Sequence, residues 1–192
     1  MNTTLNGRFA TLPCRQVGAW KIEHHVEDDK AASFNRLRAA INGHRRYTPA
    51  GTYVGLLRGK ELIMSNVPDE LRDLLPLKWH AEGHVLVAGL GLGCAVDVLL
   101  AKPSVTHITV IEQASEVIEL VGKSFAGQRV SILQGDIFTW KPPKGLVYGA
   151  VWFDIWDDIC ADNLPEMARL HRRFARWAKW KGSWCQRERR RY

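Results

Sequence analysis

The sequence predicts a doubly wound, mostly parallel α/β sheet, preceded by a small N-terminal α+β region that contains a hairpin. Three observations predict it. From His84 onward, short apolar runs alternate with segments of helical periodicity, the pattern of a parallel sheet with crossover helices. The first of those runs opens "HVLVAGLGLGCAVDVLLAKP", where Gly89, Gly91 and Gly93 stand at alternate positions between an apparent strand and an apparent helix. Residues 17 to 80 lack this regularity and mix both periods. The expected organisation is therefore an N-terminal region over 1–80 and a ligand-binding α/β domain over 81–192.

Within the first region, "AWKIEHHVED" alternates, with Trp20, Ile22, His24 and Val26 on one side, and reads as a strand. "DKAASFNRLRAAINGHRR" spaces Ala31, Phe34, Leu37 and Ile41 as a helix, with Gly43 as its stop. "GTYVGLLRGKELIMS" reads as two strands joined near Arg58-Gly59-Lys60. "VPDELRDLLPL" reads as one short helix from Pro68 to Pro76. In the second region, strands are expected at "HVLVAG", "HITVIE", "RVSILQ" and "YGAVWFD", with helices at "CAVDVLLAK" and "ASEVIELVGKSF". A long helix is expected through "NLPEMARLHRRFARWAKW", opened by an Asn163/Glu166 capping box, striped by Met167, Leu170, Phe174 and Trp177, and ended by Gly182. "SWCQR" would then be a fifth strand.

Composition narrows the class. At 192 residues, with 46% hydrophobic and 24% charged residues, the chain suits a globular protein with one real core. No apolar run is long enough to span a bilayer, and the first residues lack a signal-peptide core, so a cytoplasmic protein is expected. Cys14, Cys94, Cys160 and Cys185 are scattered without a C-x-x-C pair, which suits free thiols and argues against zinc. The net charge of +7 is concentrated after Arg169, ending in "RERRRY". Such an end can contact nucleic acid, but a solvated helix face and terminus is the simpler reading. His24 and His25 would face opposite sides of a strand and so do not form a metal pair.

The glycine turn points to a ligand at the carboxyl ends of the strands. A P-loop is excluded, because G-x-x-x-x-G-K-[ST] is absent. The dinucleotide fingerprint is incomplete: the spacing is G-x-G-x-G, and Cys94 stands where the third dinucleotide glycine belongs. Three acids follow in order. Glu112 ends the second strand, where a carboxylate can accept both ribose hydroxyls of an adenosine. Asp136, in "LQGDIF", follows the third strand and can accept an adenine amino group, with Ile137 beside it. Asp154 ends the fourth strand in "WFDIWDD", with Asp157 and Asp158 just beyond.

This ordered set resembles the class I S-adenosylmethionine-dependent methyltransferases. The resemblance implies their Rossmann-like fold, S-adenosyl-L-methionine as cofactor, and Gly89, Gly91, Gly93, Glu112, Asp136 and Ile137 as its binding residues. Within that superfamily, "LLRGKELIMSNVPDELRDLL", "VLVAGLGLG", "VIEQASEVIELV" and "GDIFTW" resemble the spermidine synthase group, over residues 51 to 158. The whole chain is also similar to small methyltransferase-like proteins of phages and prophages, through "GTY", "MS", "GLGLG", "FDIWDDICADNLPEM" and "KGSW". The spermidine synthase resemblance implies catalytic roles for Asp154 and Asp157, whose D-x-x-D would handle an acceptor amine. Leu92, Met64 and Asp73 depart from the aminopropyl transferase pattern at an acid, a glutamine and a tyrosine. "DIWD" also lacks the prolines of the [DN]-P-P-[YFW] turn of nucleic-acid amino-methylases, although Trp156 could wall an acceptor pocket.

Three readings follow. The first is a methyltransferase on a small or amine-bearing acceptor. The second is a spermidine synthase-like aminopropyltransferase, and the third is a non-catalytic cofactor- or nucleic-acid-binding phage protein. A class I methyltransferase ordinarily continues past its fifth strand, so a sheet truncated there is expected to leave an edge. Either a homodimer, the hairpin or the basic end covers it, or the protein is a reduced form that binds the cofactor without efficient transfer.

Overall fold

The computed structural model describes residues 7–41, 47–158 and 160–184. Gly43, Cys185 and the "RERRRY" segment lie outside the described residues. Nine strands and six α-helices are seen among the described residues, in two sheets.

The first sheet is an antiparallel meander of β1 (Arg15–Val17), β2 (Trp20–Glu27), β3 (Gly51–Arg58) and β4 (Glu61–Ser65), in that order. The expected hairpin is β3–β4, turning at Gly59, whose φ of 64° suits glycine. Between β2 and β3 runs α1 (Asp29–Ile41). Its helically spaced Phe34, Leu37 and Ile41 lie in solvent, 60–76% exposed, and Ala32 is the buried residue of the helix.

The segment after β4 forms two short helices, α2 (Pro68–Asp73) and α3 (Leu75–His80), not one. Pro76 starts the second instead of ending the first. It sits in an opening turn, where a missing N–H removes no intrahelical bond.

The second sheet is parallel, with strand order β7-β6-β5-β8-β9. Its strands are β5 (Gly83–Ala88), β6 (Val105–Glu112), β7 (Val130–Gln134), β8 (Tyr148–Phe153) and β9 (Ala178–Ser183). The chain starts in the centre, winds outward through α4 (Cys94–Leu100) and α5 (Ser115–Val121), then returns to wind the other way through α6 (Leu164–Arg173). Right-handed crossovers in opposite directions place α4 and α5 on one face and α6 on the other. The fold is therefore the expected doubly wound α/β fold, and the order reverses between β5 and β8.

Two apolar clusters flank this sheet. Val85, Val87, Val110 and Leu99 pack on the α4/α5 side together with Ile22, Val54, Leu56 and Leu77, so one core runs from the N-terminal sheet into the parallel one. Leu86, Ile111, Val151, Phe153, Leu170 and Phe174 form the other. Arg173 ties α6 to the segment after β7 by donating to the carbonyls of Ile137 and Trp140.

The end of the chain differs from expectation. The long helix stops at Arg173, and the fifth strand comes earlier, at Ala178–Ser183. The helical stripe through Phe174 and Trp177 persists because both pack on the second cluster, Trp177 from a 3₁₀ turn. Gly182 is no helix stop. It sits in β9 where a Cβ would run into the indoles of Trp180 and Trp152, which stack with centroids 6.2 Å apart. The other partner of Trp180 is His80, stacked at 4.5 Å. Among the described residues no helix is long and apolar enough to cross a membrane.

Candidate functional site

Close backbone approach shapes the turn after β5. Gly89, Gly91 and Gly93 have φ of 92°, 50° and 81°, a region that side chains disfavour. A Cβ on Gly89 would overlap the backbone carbonyl of Asp154. The turn therefore lies directly against the end of β8, and Asp154 N–H donates to Ala88 O at 2.8 Å. A Cβ on Gly91 would lie 2.6 Å from Met64 Sδ, and that sulfur accepts the Leu92 N–H at 3.3 Å. Strand β4 thus caps the turn from above. Gly93 differs from the other two: it makes room for the ring of Phe125 and stands outside the cavity lining.

A cavity of about 460 Å³ opens at the carboxyl ends of β5, β6, β7 and β8. Its size suits a cofactor-sized ligand. Gly89, Gly91, Glu112, Asp136, Ile137, Asp154 and Asp157 all border it, so the strand order brings together residues spread over 69 positions of sequence (157 − 89 + 1). Its roof is the N-terminal sheet, through Trp20, Leu56, Arg58, Ile63 and Met64.

The acids at the ends of β6 and β7 are held by backbone. Glu112 Oε2 accepts the Leu90 N–H at 2.7 Å, and Oε1 accepts the Ala114 N–H at 2.8 Å. Asp136 Oδ1 accepts the Phe138 N–H at 2.8 Å. A carboxylate oxygen has two lone-pair sites, so each of these oxygens keeps acceptor capacity toward a ligand hydroxyl or amino group. Ile137 is largely buried, borders the cavity and belongs to the cluster under α6.

The far rim is made of side chains. Arg58 donates to Asp157 Oδ2 at 2.6 Å and lies over the Trp20 ring, 5.5 Å from its centroid. The Trp156 indole N–H donates to Glu166 Oε2 at 2.8 Å. Glu166 also borders the cavity, a role its sequence position disguised. Three residues after Asn163, it mimics a capping box, yet no side-chain cap forms at Asn163. Asn163 Nδ2 donates to the Asp158 carbonyl instead, at 3.2 Å. At the seam between the two walls, Asp154 Oδ2 accepts the buried Trp152 indole N–H at 3.4 Å.

Beneath the turn lie two shifted groups. Burial pushes the Glu70 carboxyl above its usual range, opposed by the Ser65 hydroxyl and N–H that donate to it at 2.6 and 2.7 Å. Burial also pushes the Cys94 thiol up, helped by the neighbouring carboxylates of Glu70, Asp154 and Asp97. A thiol held in its neutral form is no nucleophile, so Cys94 fills space at the start of α4.

No family model matches the sequence, and no curated protein does. Solved structures to which part of the chain is similar include the CcbJ methyltransferase from Streptomyces caelestis, 17% identical over 58% of this chain and 45% of its own, with a TM-score of 0.46. Another is an amino pentose methyltransferase from Micromonospora echinaspora with bound S-adenosylmethionine, 23% identical over 44% of this chain and 35% of its own, TM-score 0.36. A third is coclaurine N-methyltransferase with N-methylheliamine and S-adenosylhomocysteine, 16% identical over 57% of this chain and 32% of its own, TM-score 0.44. The chain spans less than half the length of each.

Proposed function

We propose that the protein is an S-adenosylmethionine-dependent methyltransferase acting on a small, amine-bearing acceptor. One observation carries the reading. The glycine turn, Glu112 and Asp136 border one cavity with Asp154 at the strand-order reversal, where α/β sheets of this kind bind ligands.

On this reading Gly89 and Gly91 let the turn close against Asp154 and Met64, and their backbone borders the place of the cofactor's methionine part. Glu112, fixed by the Leu90 and Ala114 N–H groups, accepts the ribose hydroxyls. Asp136 accepts the adenine amino group, and Ile137 supports the floor beneath it. Gly93 serves indirectly, by letting Phe125 pack under the turn. The cofactor supplies a methyl group on a positively charged sulfur, a good leaving group. The chain's task is then mainly to position the acceptor. Asp154 orients the amine and takes its proton. Asp157 and Glu166, with Trp156 and Trp20, give the acceptor end acidic and aromatic walls, which suit a cation. Asp157 is ion-paired with Arg58, so its part lies in recognition rather than proton transfer.

Calorimetric titration with S-adenosylhomocysteine, S-adenosylmethionine, decarboxylated S-adenosylmethionine and NAD tests the reading. The expected result is micromolar binding of the first two and none of NAD. Tighter binding of the decarboxylated cofactor would replace methyl by aminopropyl transfer. Failure of every adenosyl sulfur compound at millimolar concentration would refute both.

A further inference from the structure

We propose that Arg58 occupies the cation subsite of the acceptor end, and that an acceptor's ammonium or guanidinium group binds by displacing it. The proposal rests on the amine-acceptor reading and adds an internal competitor to it.

The geometry is that of a bound cation. The guanidinium carbon lies 5.5 Å from the Trp20 centroid, within the range of an attractive cation–ring contact. One guanidinium nitrogen is 2.6 Å from Asp157 Oδ2, and a second carboxylate, Glu61, stands 3.8 Å away. Trp20, Arg58 and Asp157 all border the cavity, and they come from β2, β3 and the loop after β8. The arrangement is thus a face and a carboxylate that accept an organic cation, closed by one from the chain itself.

The contact is built to exchange. The Arg58 and Asp157 side chains are 44% and 36% exposed, so water screens the pair. Pairs of this kind hold their closed state by only about 1.4- to 5-fold, and the ring contact adds a few-fold more. A competitor populated to that degree reduces the affinity of an incoming cation by the same factor. An incoming ammonium would regain the ring and the carboxylate, and the long side chain of Arg58 can swing into water at little cost.

The test needs neither the acceptor nor turnover. Protein labelled with ¹⁵N at tryptophan is titrated with guanidinium or n-butylammonium chloride at constant ionic strength, well below denaturing concentrations. The indole N–H of Trp20, assigned through Trp20→Phe, is the readout. Arg58→Ala is expected to respond at a concentration about threefold or more below that of the wild type. Arg58→Lys, which keeps a cation in place, is expected to behave like the wild type. Adding Asp157→Asn to Arg58→Ala is expected to abolish the gain. A gain under twofold in Arg58→Ala, or one that survives loss of Asp157, overturns the proposal. S-adenosylhomocysteine titrated into the same proteins separates the two readings. Cation binding without cofactor binding would leave the subsite standing and remove the transferase, and the reverse result would remove the subsite alone.

Discussion

On the glycine-turn wall of the cavity, backbone meets backbone; on the rim opposite, exposed side chains meet one another. Gly89 touches the Asp154 carbonyl and Glu112 is gripped by two amide N–H groups, while Arg58, Asp157, Trp156 and Glu166 are joined by pairwise side-chain bonds at the surface. A wall fixed by main chain presents one shape and suits an invariant ligand. A rim held by screened pairs can rearrange, which suits the partner that must enter and leave. The contrast also separates the acids: Glu112 and Asp136 are tied to backbone, Asp157 and Glu166 to side chains.

The largest effect that would sharpen the comparison lies at Gly89. Gly89→Ala forces a Cβ into a backbone carbonyl at positive φ and is expected to cost about 3–5 kcal/mol in urea unfolding. Gly91→Ala meets only the flexible end of Met64, so about 1–2 kcal/mol is expected, the usual left-handed penalty. Equal costs would show that the turn is not pinned against β8.

Next comes Glu112. Glu112→Ala removes the partner of two N–H groups as well as the proposed ribose acceptor. S-adenosylhomocysteine affinity is expected to fall by about 1–3 kcal/mol. Asp154→Asn is expected to leave that affinity within about threefold, ~0.7 kcal/mol, and to lower turnover once an acceptor is found. Unchanged affinity in Glu112→Ala would break the proposed division between donor wall and acceptor rim.

A pH effect is expected from beneath the turn. The Glu70 pKa is raised above the usual 4.5, mainly by burial. The folded state therefore favours its neutral form. The resulting stabilisation is fully present below pH 4.5 and is lost as pH rises through the folded-state pKa. Relative to Glu70→Gln, the wild type should lose stability on going upward through that window. Parallel unfolding curves of the two proteins across it would show that Glu70 is effectively solvated.

The smallest effect is expected at the rim. Asp157→Asn should change global stability by only about 0.2–1 kcal/mol, the worth of an exposed pair, and should shrink further in high salt. A loss as large as that of Gly89→Ala would mean that the rim is structural.

Local pattern carried the sequence reading where neighbours along the chain decide the outcome. The alternation of strands and helices after His84, the hairpin around Gly59, and the order of the glycine turn, Glu112, Asp136 and Asp154 all depend on short-range period and turn chemistry. The reading failed where distant partners decide. Nothing in "PEMARLHRRFARWAKW" announces that the helical stripe passes into β9, because Trp180 and Gly182 obey a strand period only when Trp152 lies alongside. Phe34, Leu37 and Ile41 have a core stripe's spacing, but burial needs a covering element, and that is a property of the assembled fold. Glu166 has a cap's spacing from Asn163, but its partner is the Trp156 indole, which spacing does not encode.

What the sequence by itself determined was the α/β class and the residues at the strand ends. These follow from periodicity and from where carboxylates fall after apolar runs. Only the tertiary structure decided that β4 caps the glycine turn through Met64, that Gly93 serves Phe125, and that Arg58 closes on Asp157. The reason is physical. Each of those contacts joins positions 27 to 99 residues apart, and at that separation only the packing of the assembled elements chooses which side chains meet.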